Sequence, residues 1–144
     1  MVEENSVNYE EIEKLPCFVY GTLRPDDDTN AAWRPRFLEN TKQTRAVLPG
    51  AQMFNGKYPI ILLTGNQDHK VIGWLVEVND PANYIEWIKY GDTIEGYPGF
   101  YDRTKIQCEV EGSGKRDAWV YFGHKSDDRK VIPSGDWLKR NEEQ

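Results

Sequence analysis

Cys17-Phe18-Val19-Tyr20-Gly21-Thr22-Leu23-Arg24-Pro25 joins an apolar run to a glycine without a polar spacer. It reads as a buried strand that runs straight into a tight turn. Gly21 has no side chain, so successive backbone N–H groups can gather on one side of the turn. A carboxylate or a developing oxyanion would find donors there and no obstruction. Thr22 adds a hydroxyl, Arg24 a positive charge, and Pro25 fixes the chain as it leaves. The same residues also suit an ordinary strand-to-loop turn, so a cradle of this kind needs a chemical partner elsewhere in the chain.

Residues 1–15 precede this stretch as an acidic extension without an apolar leader, expected to be mobile. Tyr9, Ile12 and Leu15 nonetheless have the spacing to dock as a turn or two of helix. Residues 16–144 are expected to form a single domain. The formal charge of the 144 residues is −6, and the basic side chains are scattered among acidic ones, which gives no footprint for nucleic acid. No run approaches the about 18 apolar residues of a membrane-spanning helix, so the expectation is a cytoplasmic protein without a membrane partner. Cys17 and Cys108 are far apart and lack a second ligand at metal spacing, and His69 and His124 are isolated. No metal site is expected. The two cysteines read as reduced core thiols or, alternatively, as one disulfide.

Downstream, Asp26-Asp27-Asp28 reads as a solvated charge run, and Pro35 allows a short helix carrying Trp33, Phe37 and Leu38 on its buried side. Strands are expected at 41–48, at 51–54 with Asn55-Gly56 as a hairpin signal, from Tyr58-Pro59 through Leu63, and at 71–78. The last is the longest β-branched run and reads as a central strand. Asp80-Pro81 opens a helix that lays Tyr84, Ile85 and Ile88 on the sheet and ends near Tyr90-Gly91.

The partner for the cradle follows in Gly91-Asp92-Thr93-Ile94-Glu95-Gly96-Tyr97-Pro98-Gly99-Phe100-Tyr101-Asp102-Arg103. Glu95 stands between Ile94 and Tyr97, neighbours that would desolvate a carboxyl and raise its pKa towards the value a general base needs. Asp92-Thr93-Ile94-Glu95 equally has capping-box spacing, in which Glu95 would satisfy only a backbone N–H. Tyr97, Tyr101 and Tyr121 could line a pocket or serve as core aromatics, and Arg103 could meet a substrate carboxylate or an ion-pair partner across a strand face.

Tyr20-Gly21-Thr22-Leu23-Arg24, followed by Asp92-x-x-Glu95-Gly96-Tyr97-Pro98 and Tyr101-x-Arg103, resembles the γ-glutamylcyclotransferase-like family, which includes the plant avirulence-induced proteins and γ-glutamylamine cyclotransferases. Tyr58-Pro59, Val71-x-Gly73-x-Leu75-x-Glu77-Val78, Ala118-Trp119-Val120-Tyr121 and Ser134-Gly135-Asp136-Trp137 fall where that family has similar words. The likeness covers residues 16–138. Gly91 departs from it, standing where the family usually has an apolar residue, and Asp26-Asp27-Asp28 sets acid beside the cradle.

The resemblance implies an α+β fold: a small mixed β-barrel with a few flanking helices, its pocket bounded by Tyr20, Gly21, Thr22 and Leu23 on one side and Glu95 on the other. It implies an enzyme that cyclises a γ-glutamyl amine or γ-glutamyl amino acid to 5-oxoproline and releases the amine. Glu95 would be the catalytic acid/base, with Tyr101 and Tyr121 joining residues 20–23 in binding substrate. Since nucleophile and electrophile belong to one molecule, neither cofactor, metal nor covalent residue is called for. The partner is then a small γ-glutamyl compound and the chain a monomer or weak homo-oligomer. Two other readings remain open on the same fold, a catalytically silent binder of small acidic metabolites and a scaffold that meets a partner through residues 1–14.

Overall fold

The computed structural model of the protein describes residues 8–141. β1 (Cys17–Val19) is buried on both faces, which is why it reads as an unbroken apolar run. Phe18 points into one hydrophobic cluster, while Cys17 and Val19 belong to a second on the opposite face. The first cluster fills a barrel and the second lies between the barrel wall and the helices.

The wall is a closed barrel of five strands in the order β1-β5-β2-β6-β7. β5 (Lys70–Val78) is its centre, as its β-branched run foretold. It pairs antiparallel with β1 and, along nine residues from Thr41↔Val78 to Pro49↔Lys70, with β2 (Thr41–Pro49). β6 (Asp102–Val110) and β7 (Gly114–Phe122) form a long hairpin, and β7 closes the barrel by pairing parallel to β1 at Cys17↔Trp119. This is the small mixed barrel expected.

A separate two-stranded ribbon, β3 (Ala51–Phe54) and β4 (Ile60–Leu63), packs Ala51, Met53 and Ile61 into the barrel cluster. The hairpin expected at Asn55-Gly56 forms, but its loop runs over residues 55–59 because Phe54 pairs with Ile60. Asn55 N–H is drawn to the Lys130 carbonyl at 2.8 Å, and Arg129 donates to the Tyr58 carbonyl at 3.0 Å, so the later chain holds the loop open. Near the C-terminus Trp137 is buried in the barrel cluster and donates its indole N–H to Asp27 at 3.2 Å. It packs into the barrel interior beside Phe18 and Leu75 in the same cluster.

α1 (Arg34–Leu38) is a short helix with proline in its first turn, and it buries Phe37 against Trp87 at 5.0 Å between ring centroids. α2 (Tyr84–Glu95) follows a 3-10 turn, Pro81–Asn83, whose cap is Asp80 accepting from Ala82 N–H at 3.0 Å. It runs a full turn past the end expected near Tyr90-Gly91. Gly91 is tolerated in mid-helix, and the stop is Gly96, which adopts the left-handed conformation at φ 67° and bonds back to Asp92 and Thr93.

Of the segment expected to be mobile, residues 1–7 lie outside the described residues, while residues 9–15 are held against the domain. Tyr84 donates to the Leu15 carbonyl at 2.6 Å, Trp119 to the Glu13 carbonyl at 3.0 Å, and Tyr9 and Ile12 pack on the outer cluster. Cys17 and Cys108 are both buried free thiols. No helix among the described residues is long and apolar enough to cross a membrane.

Candidate functional site

Where β1 leaves the barrel, the chain turns over residues 21–24, with Arg24 N–H on the Gly21 carbonyl at 3.0 Å. Gly21 is required here for space more than for unusual backbone angles. A Cβ at this position would stand 2.5 Å from the Pro59 ring, which packs directly on the turn. The backbone N–H groups of Gly21, Thr22 and Leu23 find no acceptor among the described residues. All three residues, with Tyr20, line a cavity of about 400 Å³.

The charges near the turn are not available to that cavity. Arg24, read as part of the cradle, is fully buried and holds Asp26 through Nε and Nη2 at 2.8 and 2.9 Å and Asp136 through Nη1 at 2.8 Å. The charge run 26–28 is correspondingly not a solvated loop. Asp26 also accepts from Trp74 at 3.1 Å, Asp27 from Trp137 and Arg34, and Asp28 from Arg140 at 2.8 Å. Each carboxylate thus pins the loop to a different element. Thr22 keeps its place at the cavity, its hydroxyl accepting the Trp33 indole N–H at 3.1 Å.

Opposite the turn, the last residue of α2 brings Glu95 to the same cavity. Its position at the helix C-terminus removes the capping-box reading, because a box forms at an N-terminus, where N–H groups are free. Among the described residues the Glu95 carboxyl has no hydrogen-bond or ion-pair partner. Burial pushes its pKa up to about 7.

Three tyrosines complete the enclosure, and each hydroxyl is already committed to protein. Tyr20 donates to the Tyr121 carbonyl at 2.6 Å, Tyr101 to the Pro59 carbonyl at 2.9 Å, and Tyr121 to Asp92 at 2.7 Å. Burial, reinforced by the Glu95 charge, raises the Tyr20 and Tyr101 phenols well above their ordinary values. They stay neutral and act as walls whose oxygens can still accept. Arg103 does not enter the cavity: it pairs with Asp92 at 2.8 Å, the ion-pair reading of the two left open. Among the described residues no group of three or more His, Cys, Asp and Glu is arranged to hold a metal ion.

The family model described as "Gamma-glutamyl cyclotransferase, AIG2-like" matches residues 17–139 of the sequence. The chain belongs to this family. Solved structures agree on the fold of this AIG2-like domain. An uncharacterized protein from Pyrococcus horikoshii superposes with a TM-score of 0.60 at 21% identity, covering 87% of this chain and 91% of that one. An AIG2-like protein from Mus musculus gives 0.59 at 21% identity over 76% of each chain. A protein from Arabidopsis thaliana gives 0.58 at 24% identity, over 88% of this chain and 71% of that one. No curated protein matches the chain closely enough to be named a relative.

Within the AIG2-like domain, the seven residues assigned to catalysis or substrate binding all line this cavity, Tyr20, Gly21, Thr22, Leu23, Glu95, Tyr101 and Tyr121, whereas Arg24, Tyr97 and Arg103 do not. Trp33, Tyr58, Pro59 and Phe100 were missed as lining residues. They come from loops beside α1, β4 and β6, where no sequence periodicity operates; only the exposure of Phe100, 71%, sets it apart from a core aromatic. Asp92 was read as a cap and is instead a buried hub. A carboxylate three residues before Glu95 on a helix was the available signal. Gly91 is explained by the same place: a Cβ there would meet the Tyr121 hydroxyl at 2.9 Å and the Phe37 ring at 3.1 Å.

Proposed function

We propose that the protein is a γ-glutamylcyclotransferase that converts a γ-glutamyl amine or γ-glutamyl amino acid to 5-oxoproline and the free amine, with Glu95 as acid and base. The observation that carries this reading is the pairing of an unpartnered Glu95 carboxyl, its pKa near about 7, with the unpartnered amides of residues 21–23 across one cavity. A carboxyl held half-buried on a cavity wall with no protein partner is placed to exchange protons with a ligand.

In the proposed reaction the substrate's α-nitrogen attacks its own γ-carbonyl carbon. One C–N bond forms, a tetrahedral oxyanion develops, and the C–N bond to the leaving amine breaks. The α-ammonium carries three protons, the lactam nitrogen keeps one, and the amine leaves as an ammonium, so two protons pass from one nitrogen to the other and none is consumed. Glu95 near neutrality can take each proton and return it. The amides of residues 21–23 supply hydrogen bonds to the oxyanion or the substrate carboxylate, a preorganised polar wall in a largely apolar cavity.

The test is incubation with γ-glutamyl amino acids, γ-glutamyl-ε-lysine and γ-glutamyl alkylamines, with 5-oxoproline measured. Turnover of at least one compound is expected. Tight binding without turnover across the set would replace the enzyme with a metabolite-binding module.

A further inference from the structure

Three residues before Glu95, Asp92 gathers four hydrogen bonds from three separate parts of the chain. Arg103 of β6 donates through Nε and Nη2 at 2.8 and 3.2 Å, Tyr121 of β7 at 2.7 Å, and Tyr9 at 2.7 Å. The Asp92 and Arg103 side chains are only 2% and 3% exposed, and the guanidinium is sandwiched between the rings of Tyr97 and Trp119 at 4.6 and 4.8 Å. Tyr9 lies outside the family-matched region, residues 17–139, and its ring sits under the Lys89 ammonium at 5.2 Å. The Asp92 carbonyl also accepts the Tyr97 N–H at 2.9 Å as the chain leaves the helix. Asp92 therefore binds through both side chain and backbone at the turn that presents Glu95.

We infer that Asp92 and Arg103 form a charge-compensated clamp, closed by Tyr9 from outside the family core, which fixes the last turn of α2 and leaves no net charge bearing on Glu95. This rests on the proposed role of Glu95 and names Asp92, Arg103 and Tyr9 as positioning residues. Helix residues three apart are neighbours, so a bare charge at position 92 would act directly on Glu95. The other titratable groups facing Glu95 are Cys17 on β1, Tyr20 just beyond it, Tyr58 before β4, Tyr101 before β6 and Tyr121 on β7. Burial raises the Cys17 thiol and the phenols of Tyr20, Tyr101 and Tyr121, which keeps them uncharged at neutral pH. Asp92 and Arg103 are then the charges that matter, and they cancel. The displaced pKa of Glu95 has burial as its cause, with no charged neighbour contributing.

The clamp is tested without substrate by following the Glu95 carboxyl carbon in protein labelled with 13C-glutamate, the resonance assigned by its loss in Glu95→Gln. Asp92→Asn bares the guanidinium and should lower the Glu95 midpoint by about one pH unit or more, whereas Arg103→Gln bares the carboxylate and should raise it by about as much. The double variant Asp92→Asn/Arg103→Gln strands no charge, which protects its folding, and should return the midpoint to the native value. An unmoved midpoint in the single variants, or a double variant displaced from the native value, overturns the compensation. In the milder variant Tyr9→Phe, hydrogen exchange at the Tyr97 amide should quicken by about ten-fold, since a hydrogen bond to a charged group is lost. With a substrate in hand, kcat should fall several-fold at constant KM. Unchanged exchange overturns the role of Tyr9. Absence of 5-oxoproline from every substrate, with the midpoints moving as expected, would sink the functional reading and leave the clamp standing.

Discussion

Two carboxylates leave the last turn of α2, and their surroundings are opposite. Asp92 turns inward to four hydrogen bonds, two of them from a buried guanidinium, while Glu95 turns into the cavity with no partner among the described residues. What separates them is who faces them: the chain spends three side chains on satisfying Asp92 and none on Glu95. A charge that the fold satisfies holds structure, and a half-buried acid left without a protein partner on a cavity wall is free to exchange protons with a ligand. Arg24 and Arg103 fall on the satisfied side with Asp92, since both end in carboxylates of the protein itself.

The contrast is broken most severely from the Asp92 side. Arg103→Ala removes the counter-charge and the plate between Tyr97 and Trp119, leaving a buried carboxylate unpaired. Stability should fall by about 3–5 kcal/mol in denaturant titrations. A loss below about 1 kcal/mol would mean that the clamp is not structural.

From the Glu95 side the sign reverses. A carboxyl whose pKa is raised to about 7 in the fold binds a proton that the unfolded chain has released between its ordinary range and neutrality. Its stabilising share is therefore complete at pH 4 and is lost as pH rises through about 7. Glu95→Gln carries no such dependence, so at pH 8 it should be more stable than the native protein by up to about 3 kcal/mol, with the gain gone at pH 4. Thermal or urea unfolding at the two pH values checks it. Equal stabilities at pH 8 would show that Glu95 is already satisfied.

Two smaller effects sharpen the geometry around the pair. Gly21→Ala drives a methyl into the Pro59 ring, with an expected loss of about 1–3 kcal/mol and weakened binding of acidic ligands by calorimetry. Asp80→Ala removes only the cap of the 3-10 turn that leads into α2, far from its C-terminus, so it should cost about 1 kcal/mol and leave the Glu95 titration unchanged.

The strands were legible from local signals, and the barrel and the cavity's two walls from the family resemblance that the words around Gly21 and Glu95 carry. β1 and β5 are unbroken apolar runs, and the words around Gly21 and Glu95 are quoted in the chain almost without interruption. The end of α2 was not legible. Gly91 reads as a stop, yet it is the residue that lets Tyr121 lie against the helix, and the true stop is Gly96. Misplacing that end by one turn turned Asp92 into a cap and Glu95 into a possible capping partner. The partners Asp136 of Arg24, Trp74 of Asp26, Trp137 of Asp27 and Tyr121 of Asp92 were hidden for a common reason: each bond joins residues distant in sequence, where no periodicity records it. Tyr9 belongs to the same class, being an extension residue whose role exists only because the chain folds back onto α2.

The most direct measurement is 5-oxoproline release by Glu95→Gln beside the native protein, at pH 7 and on whichever γ-glutamyl compound the native protein turns over. The glutamine keeps the shape of the wall but takes up no proton, so kcat should fall by at least about 10²-fold while ligand affinity stays nearly constant. Near-native release from a folded Glu95→Gln protein would contradict the account, removing Glu95 from the chemistry and leaving the cavity a binding site alone.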